Sequence, residues 1–311
     1  MDSTQVQHSR LEQTTHLAAN AIRLVRNPRM VALYLRWQAA RIALQRSPVH
    51  NHCGSVRIGN FCSFSHFWLW RDGVSAAEMR LLEFCRRALA FERRWIAADV
   101  GAHLGHFALA LAAIGFDEVH AFEPAPQTYR RLQRNITMNA RLADCVTAHP
   151  LCVADIPGTA VFAIREHSPG QNRIATAEDQ DRLEYIHCPQ TTLDDQFAHR
   201  PEAFLGIVKI DVEGFETSVV RGAARLLAQD RIMFVYAEII PQALREAESS
   251  AEDLVASLAA EDLVLVQFVP TASPMLIQCS LPDALDSSSQ TRNVLFAHKR
   301  VLQATDQWLR Q

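Results

Sequence analysis

Lysine is almost missing from this chain of 311 residues: Lys209 and Lys299 stand against 29 arginines (31 basic residues minus 2). The bias is compositional, and it makes a lysine inside the apolar run at 209 conspicuous. Any large excess of charge is missing too. The formal net charge is −3, so no global field draws the chain to nucleic acid. No run is long and apolar enough to span a bilayer. Met1-Asp-Ser-Thr-Gln lacks a basic segment leading into an apolar core, so no signal peptide is expected. Seven cysteines, an odd number with no C-x-x-C pair, do not make a disulfide framework. Reduced, buried thiols in a cytoplasmic setting are expected instead. His50, His52, Cys53 and Cys62 match no zinc spacing, and no metal site is expected.

What is present is an ordinary globular composition, with 49% hydrophobic and 21% charged residues. The length suits one large domain plus an extension. The extension is read as residues 1–74. Within 16–46, leucine, isoleucine and valine interleave with Arg23, Arg26, Arg29, Arg36, Arg41 and Arg46, which predicts helix interrupted at Pro28. The favoured reading packs this helix on its own catalytic domain; the alternative lays it on a membrane surface. Short strands are expected over 49–73, with Phe61, Phe64, Phe67, Trp68 and Trp70 grouped there. The main domain, 75–311, opens with the capping box Ser75-x-x-Glu78 ahead of a helix over 76–90.

Strand and helix then alternate: strand 95–100, helix 105–114, strand 118–123, helix 126–140, strand 146–153. Extended segments 159–164 and 185–191 flank a polar loop at 167–182. Strand 205–211, helix 216–228, strand 232–238, helix 251–260 and strand 263–269 follow, then 275–279 and 293–298 as an antiparallel hairpin. Such alternation predicts an α/β fold with a mostly parallel, doubly wound sheet. Ligands of such sheets bind at the C-terminal strand ends. Asp99, Glu123, Asp211 and Glu238 all fall at those ends.

The densest signal is Asp99-Val-Gly-Ala-His-Leu-Gly105, a strand end, a glycine turn and a helix start. Glycines allow positive φ and close backbone approach. An acid about 20 residues on, Glu123, is placed for ribose hydroxyls. The spacing is G-x-x-x-G rather than G-x-G-x-x-G, which disfavours a pyrophosphate and suits a nucleoside without phosphate. S-adenosylmethionine is such a ligand, and the Asp99 carboxylate suits its cationic sulfonium.

Here the chain resembles the FkbM-type methyltransferases. The matching residues are Asp99 to Gly105; Phe122-Glu-Pro-Ala-Pro126 with Leu132, Asn135 and Asn139; Thr192-Leu-Asp-Asp195; and Val208-Lys-Ile-Asp-Val-Glu-Gly-Phe-Glu216. The resemblance spans roughly 75–300. It implies a class I, Rossmann-like methyltransferase fold with a C-terminal antiparallel hairpin, S-adenosylmethionine as cofactor, and mostly O-methylation. His103 departs from the family's usual Asn. Ile239 and Ile240 follow Glu238 where a histidine is common.

The expected cofactor residues are Asp99, Gly101, His103, Gly105, Glu123 and Asp155. A valine at 101 is expected to fill the ligand's space and leave the remote core folded. The expected catalytic residues are Lys209, Asp211, Glu213 and Glu238: an acid to take the hydroxyl proton, and a lysine to set the charge. His120 and His167 are spare candidates. Methyl transfer needs no metal, although clustered acids can bind Mg²⁺. The expected reaction is O-methylation of a small molecule, a sugar or specialised metabolite, by a chain that is free to form a homo-oligomer. The rivals are a nicotinamide-dependent oxidoreductase and a non-catalytic binding module on the same fold.

Overall fold

The computed structural model of the protein describes residues 28–43, 56–59, 74–89, 94–165, 169–177, 179, 184–271, 274–284 and 292–308. The zinc-like group at 50–62, the aromatic group at 61–70 and His167 lie outside them. The chain divides into two compact units, 1–49 and 50–311. In the first, a helix runs Pro28–Ala43, with Pro28 at its first position. No helix among the described residues is long and apolar enough to cross a membrane.

The larger unit takes in residues on both sides of the expected boundary at 74. Val56 and Ile58 are buried. The side chain of Asn139 exchanges two 2.7 Å hydrogen bonds with the backbone of Arg57, and Asn135 Oδ1 accepts from the Gly59 N–H at 2.9 Å. Asn135 also donates to the Leu104 carbonyl at 2.8 Å, so one buried amide ties the extension to the glycine turn. The capping box forms as expected, with reciprocal bonds between Ser75 and Glu78 opening the helix Ala76–Ala88.

The main sheet is built from β1 (Ile96–Val100), β2 (Glu118–Phe122) and β3 (Val146–His149). A second sheet takes β4 (Cys152–Val153), β5 (Gly158–Ile164), β6 (Arg173–Ile174) and β7 (Glu184–Thr191). The main sheet then resumes with β8 (Leu205–Ile210), β9 (Phe234–Ile239), β10 (Leu263–Val269), β11 (Met275–Gln278) and β12 (Arg292–His298). Its order is β11-β10-β12-β9-β8-β1-β2-β3, parallel from β9 through β3 and antiparallel at β12, β10 and β11. β1 and β8 are buried along their whole length, as central parallel strands covered on both faces must be. The helix His106–Ala113 beside them is apolar and buried from Phe107 to Ala112.

Several expected boundaries move. The strand expected over 146–153 breaks at Pro150-Leu151, and its halves join different sheets; Pro150 has no N–H to continue the ladder. The segments 275–278 and 292–298 do not pair with each other. Both pair antiparallel with β10, which lies between them. The expected loop at 167–182 contains β6, paired with β5. The helix at 216–228 is two short helices separated near Gly222, whose missing Cβ makes room for the Ala154 carbonyl. Helices Pro241–Glu246 and Lys299–Trp308 were not anticipated.

Gly101 takes φ of +82°, and a Cβ there would overlap the carbonyl oxygen of Asp211. The glycine is required by the contact between the ends of β1 and β8. The expectation that a valine would only fill ligand space is therefore corrected. Gly101→Val is expected to lower unfolding free energy by roughly 3 kcal/mol or more through strain and overlap. Urea denaturation measures it, and a variant with the wild-type midpoint would place the clash elsewhere.

Candidate active site

Four parallel strand ends meet along one edge. Gly101 and Ala102 donate to the Phe122 carbonyl at 3.1 and 2.9 Å, and Asp211 N–H donates to the Val100 carbonyl at 3.0 Å. These bonds stitch the loops after β1, β2 and β8 together. They leave a cavity of about 280 Å³, whose lining includes Gly101, His103, Glu123, Lys209, Asp211, Glu213 and Glu238. Seven of the ten expected site residues thus share one cavity.

The other three are placed differently. Asp99 lies fully buried beneath the lining and serves as counter-ion to Lys209. Gly105 caps the following helix at φ +82°, and a Cβ there would overlap Leu132. Asp155 is exposed and outside the lining. The break after β3 turns the chain so that Leu151, Cys152 and Val153 face the cavity instead. His120 is also outside the lining; it stacks on His149 at 5.1 Å and bonds to Glu118 at 2.7 Å.

Glu123 is 6% exposed, and its two oxygens accept from the backbone N–H groups of His103 (3.0 Å) and Ala125 (2.9 Å). A carboxylate has about four acceptor positions, so two remain for a ligand. Burial raises its pKa to about 7. The His103 ring is lowered to about 4, mainly by burial, and is neutral.

Parallel register sets Asp99 beside Lys209. The lysine Nζ stands 2.9 Å from Asp211 and 3.6 Å from Asp99, and 4.9 Å above the Phe107 ring. Burial would lower its pKa, but the attraction of Asp211 and Asp99 outweighs burial and holds it charged. Neither Asp99 oxygen finds a hydrogen bond among the described residues, and burial raises its pKa. For Asp211, burial is outweighed by Lys209 and by a hydrogen bond with Glu238, and its pKa is lowered. Glu238 is raised well above the usual range by burial and by Asp211. Glu213, at φ +56°, is raised to about 8 by burial, then by Asp211 and Glu216.

Asp211, Glu213 and Glu238 offer oxygens within 4.8 Å of one another, a set a hard divalent cation can use. In the structure the ammonium of Lys209 already supplies positive charge there. Phe162 and Ile174 of the second sheet, with Asn172 just before β6, form a further wall of the lining. Arg173 holds that wall by bonds to Glu246 (2.6 Å) and Asp179 (3.4 Å). Sequence reading missed these residues and His106. Asn172, Arg173 and Ile174 fall within the long polar loop expected at 167–182, and His106 follows Gly105 directly.

A model of the family described as the methyltransferase FkbM domain matches residues 99–263. Among solved structures, the chain is similar to methyltransferase FkbM from Methylobacillus flagellatus KT. That match has 15% identity and a TM-score of 0.42, and covers 68% of this chain and 45% of that one. It is also similar to precorrin-6y C5,15-methyltransferase from Geobacter metallireducens GS-15, at 10% identity, TM-score 0.38 and coverage of 73% and 90%. The bifunctional kinase-methyltransferase WbdD matches at 11% identity and TM-score 0.43, with coverage of 83% and 45%. The chain thus spans just under half the length of the FkbM structure it matches. Comparison with curated proteins gives no match.

Removing Lys209 strands a buried acid. Lys209→Met is expected to cost about 3–5 kcal/mol of stability. Adding Asp99→Asn should return at least about 1 kcal/mol of it. Denaturant melts of the two single variants and the double variant measure this, and a strictly additive double variant would show the pair to be uncoupled.

Proposed function

The chain belongs to the FkbM methyltransferase family, and from that premise we propose that it moves a methyl group from S-adenosylmethionine to a hydroxyl of a small molecule, a sugar or specialised metabolite. The observation that carries this reading is the division of one cavity. Glu123 follows β2, whereas Glu238 lies on β9, three strand spacings or roughly 14 Å away across the sheet. One end suits a nucleoside and the other a proton-bearing nucleophile.

The residues fit the cofactor. Buried Glu123 keeps acceptor positions for two ribose hydroxyls, and Leu151, Cys152 and Val153 give an apolar wall for a base. When bound, S-adenosylmethionine supplies a methyl carbon already activated by its sulfonium. The protein's task is then to align a hydroxyl and receive its proton. Glu213 is suited to that as base, because it holds a proton to about pH 8 and releases it above. Lys209 keeps Asp211 ionised to orient the hydroxyl, while protonated Glu238 donates a hydrogen bond. A nicotinamide cofactor would need a pyrophosphate cradle that the G-x-x-x-G turn does not supply.

Calorimetry should find S-adenosylmethionine or its demethylated product binding and NAD not binding. Glu123→Ala should weaken that binding by at least about tenfold, since charge-assisted bonds contribute roughly 1.5–3 kcal/mol each. Tight NAD binding with no S-adenosylmethionine signal would defeat the reading.

With a hydroxylated acceptor found by screening for label transfer, turnover should rise with pH through about 8, because the base acts deprotonated and burial raises Glu213 to about 8. Glu213→Gln should remove this limb and lower turnover roughly a hundredfold. A chelator should change neither rate nor limb. If the variant keeps both, Asp211 or Glu238 is the base; loss of activity with chelator, restored by Mg²⁺, makes the three acids metal ligands.

A further inference from the structure

His106 lines the cavity from the first turn of the helix His106–Ala113. Its Nδ1 is buried and has no hydrogen-bond partner among the described residues. Around the ring lie Phe107, at 5.4 Å between centroids, and the charged or polar groups of Lys209, His103 and Asp211. A buried nitrogen left without a partner costs about 1–3 kcal/mol. An aliphatic residue would avoid that cost, and the helix is apolar and buried immediately afterwards. In native structures such an unsatisfied group calls for an explanation, and a ligand that completes it is one. Burial first, then Lys209 and His103, lowers the ring's pKa to about 3. The imidazole is therefore neutral, with one N–H donor and one lone pair, the same pairing a hydroxyl offers.

This step rests on the methyl-transfer reading, in which the reacting hydroxyl sits at Asp211, Glu213 and Glu238. We infer that His106 holds a second hydroxyl of the same acceptor, and that the acceptor is therefore an uncharged polyol. A molecule with a single hydroxyl would leave the imidazole unsatisfied. An anionic acceptor would meet the ionised Asp211, and a lysine already paired with it at 2.9 Å.

The test uses full-length protein saturated with S-adenosylhomocysteine. Methyl α-D-glucopyranoside is the polyol probe and cyclohexanol the single-hydroxyl probe, both titrated by saturation-transfer NMR. Wild type should bind the glucoside at least about tenfold more tightly than cyclohexanol. His106→Leu fills similar space without a nitrogen. It should erase that margin while leaving cyclohexanol binding, and S-adenosylhomocysteine binding by calorimetry, unchanged. His106→Asn sets a polar atom near Nδ1 and His106→Gln near Nε2, and at least one should restore the margin. The inference is overturned if His106→Leu keeps the margin, if neither amide variant restores it, or if wild type binds neither probe. Loss of S-adenosylhomocysteine binding in His106→Leu also overturns it, by placing the ring on the cofactor. Wild-type protein that binds no S-adenosylhomocysteine is a separate failure, that of the methyl-transfer reading itself.

Discussion

The site depends on a line of charge, Asp99–Lys209–Asp211, buried at Asp99 and Lys209 and opening to the cavity at Asp211, set across two strands by their register. β1 and β8 are the most enclosed strands of the sheet, and an ammonium between them is tolerable only because two carboxylates flank it. The fixed cation then orders the rim. It holds Asp211 ionised, and that negative charge, with burial, keeps protons on Glu238 and Glu213. Three acids in one small space become one anion and two acids, which differ as hydrogen-bonding groups. Removing the lysine would change every charge at this edge, so its effects on stability and on chemistry have a common cause.

Backbone contact is the second constraint. Gly101 admits the Asp211 carbonyl, Gly214 that of Ala243 and Gly222 that of Ala154. Each glycine lets the backbone of another segment approach where a Cβ would overlap: a strand-end loop at Gly101, a helix at Gly214 and the chain after β4 at Gly222. The loops bearing Asp211 and Glu213 are therefore held by main-chain packing, which fixes side chains more firmly than a free loop does. A glycine-rich turn read in sequence as a cradle for a ligand is here first a joint between strands. The two roles are compatible, because the same close packing brings His103 N–H onto Glu123.

Much of this was legible in the sequence because it is local. The alternation of apolar runs gave the parallel sheet, and Ser75 with Glu78 gave the helix start. Acids at strand ends gave Asp99, Glu123, Asp211 and Glu238 as one group, of which Asp99 lies buried beneath the lining and the other three lie in it. What failed was non-local. Nothing around Pro150 says that the halves of 146–153 join different sheets, and Asp155, expected among the cofactor residues, is exposed and outside the cavity. The pairing of β11 and β12 with β10, rather than with each other, is likewise a choice made by the assembled sheet. Asn135 and Asn139 matched the family pattern, but their work, bonding to Leu104, Arg57 and Gly59, shows only in three dimensions.

The two ends of the cavity differ in legibility. The end at Glu123 is made by consecutive residues of two βα corners, so its residues are written in short motifs. β5 and β6 also reach the cavity, where Phe162 and Ile174 pack in one cluster with Cys152 and Ala125, and Arg173 beside them bonds to Asp179 in its own segment and to Glu246 in the helix after β9. That helix directly follows the strand bearing Glu238, so one arginine couples this wall to the acid edge. Arg173 is 7% exposed, and a buried guanidinium demands partners for its charge wherever it lies. The place of Phe162, Asn172 and Ile174 in the lining therefore depends on an ion pair between distant segments.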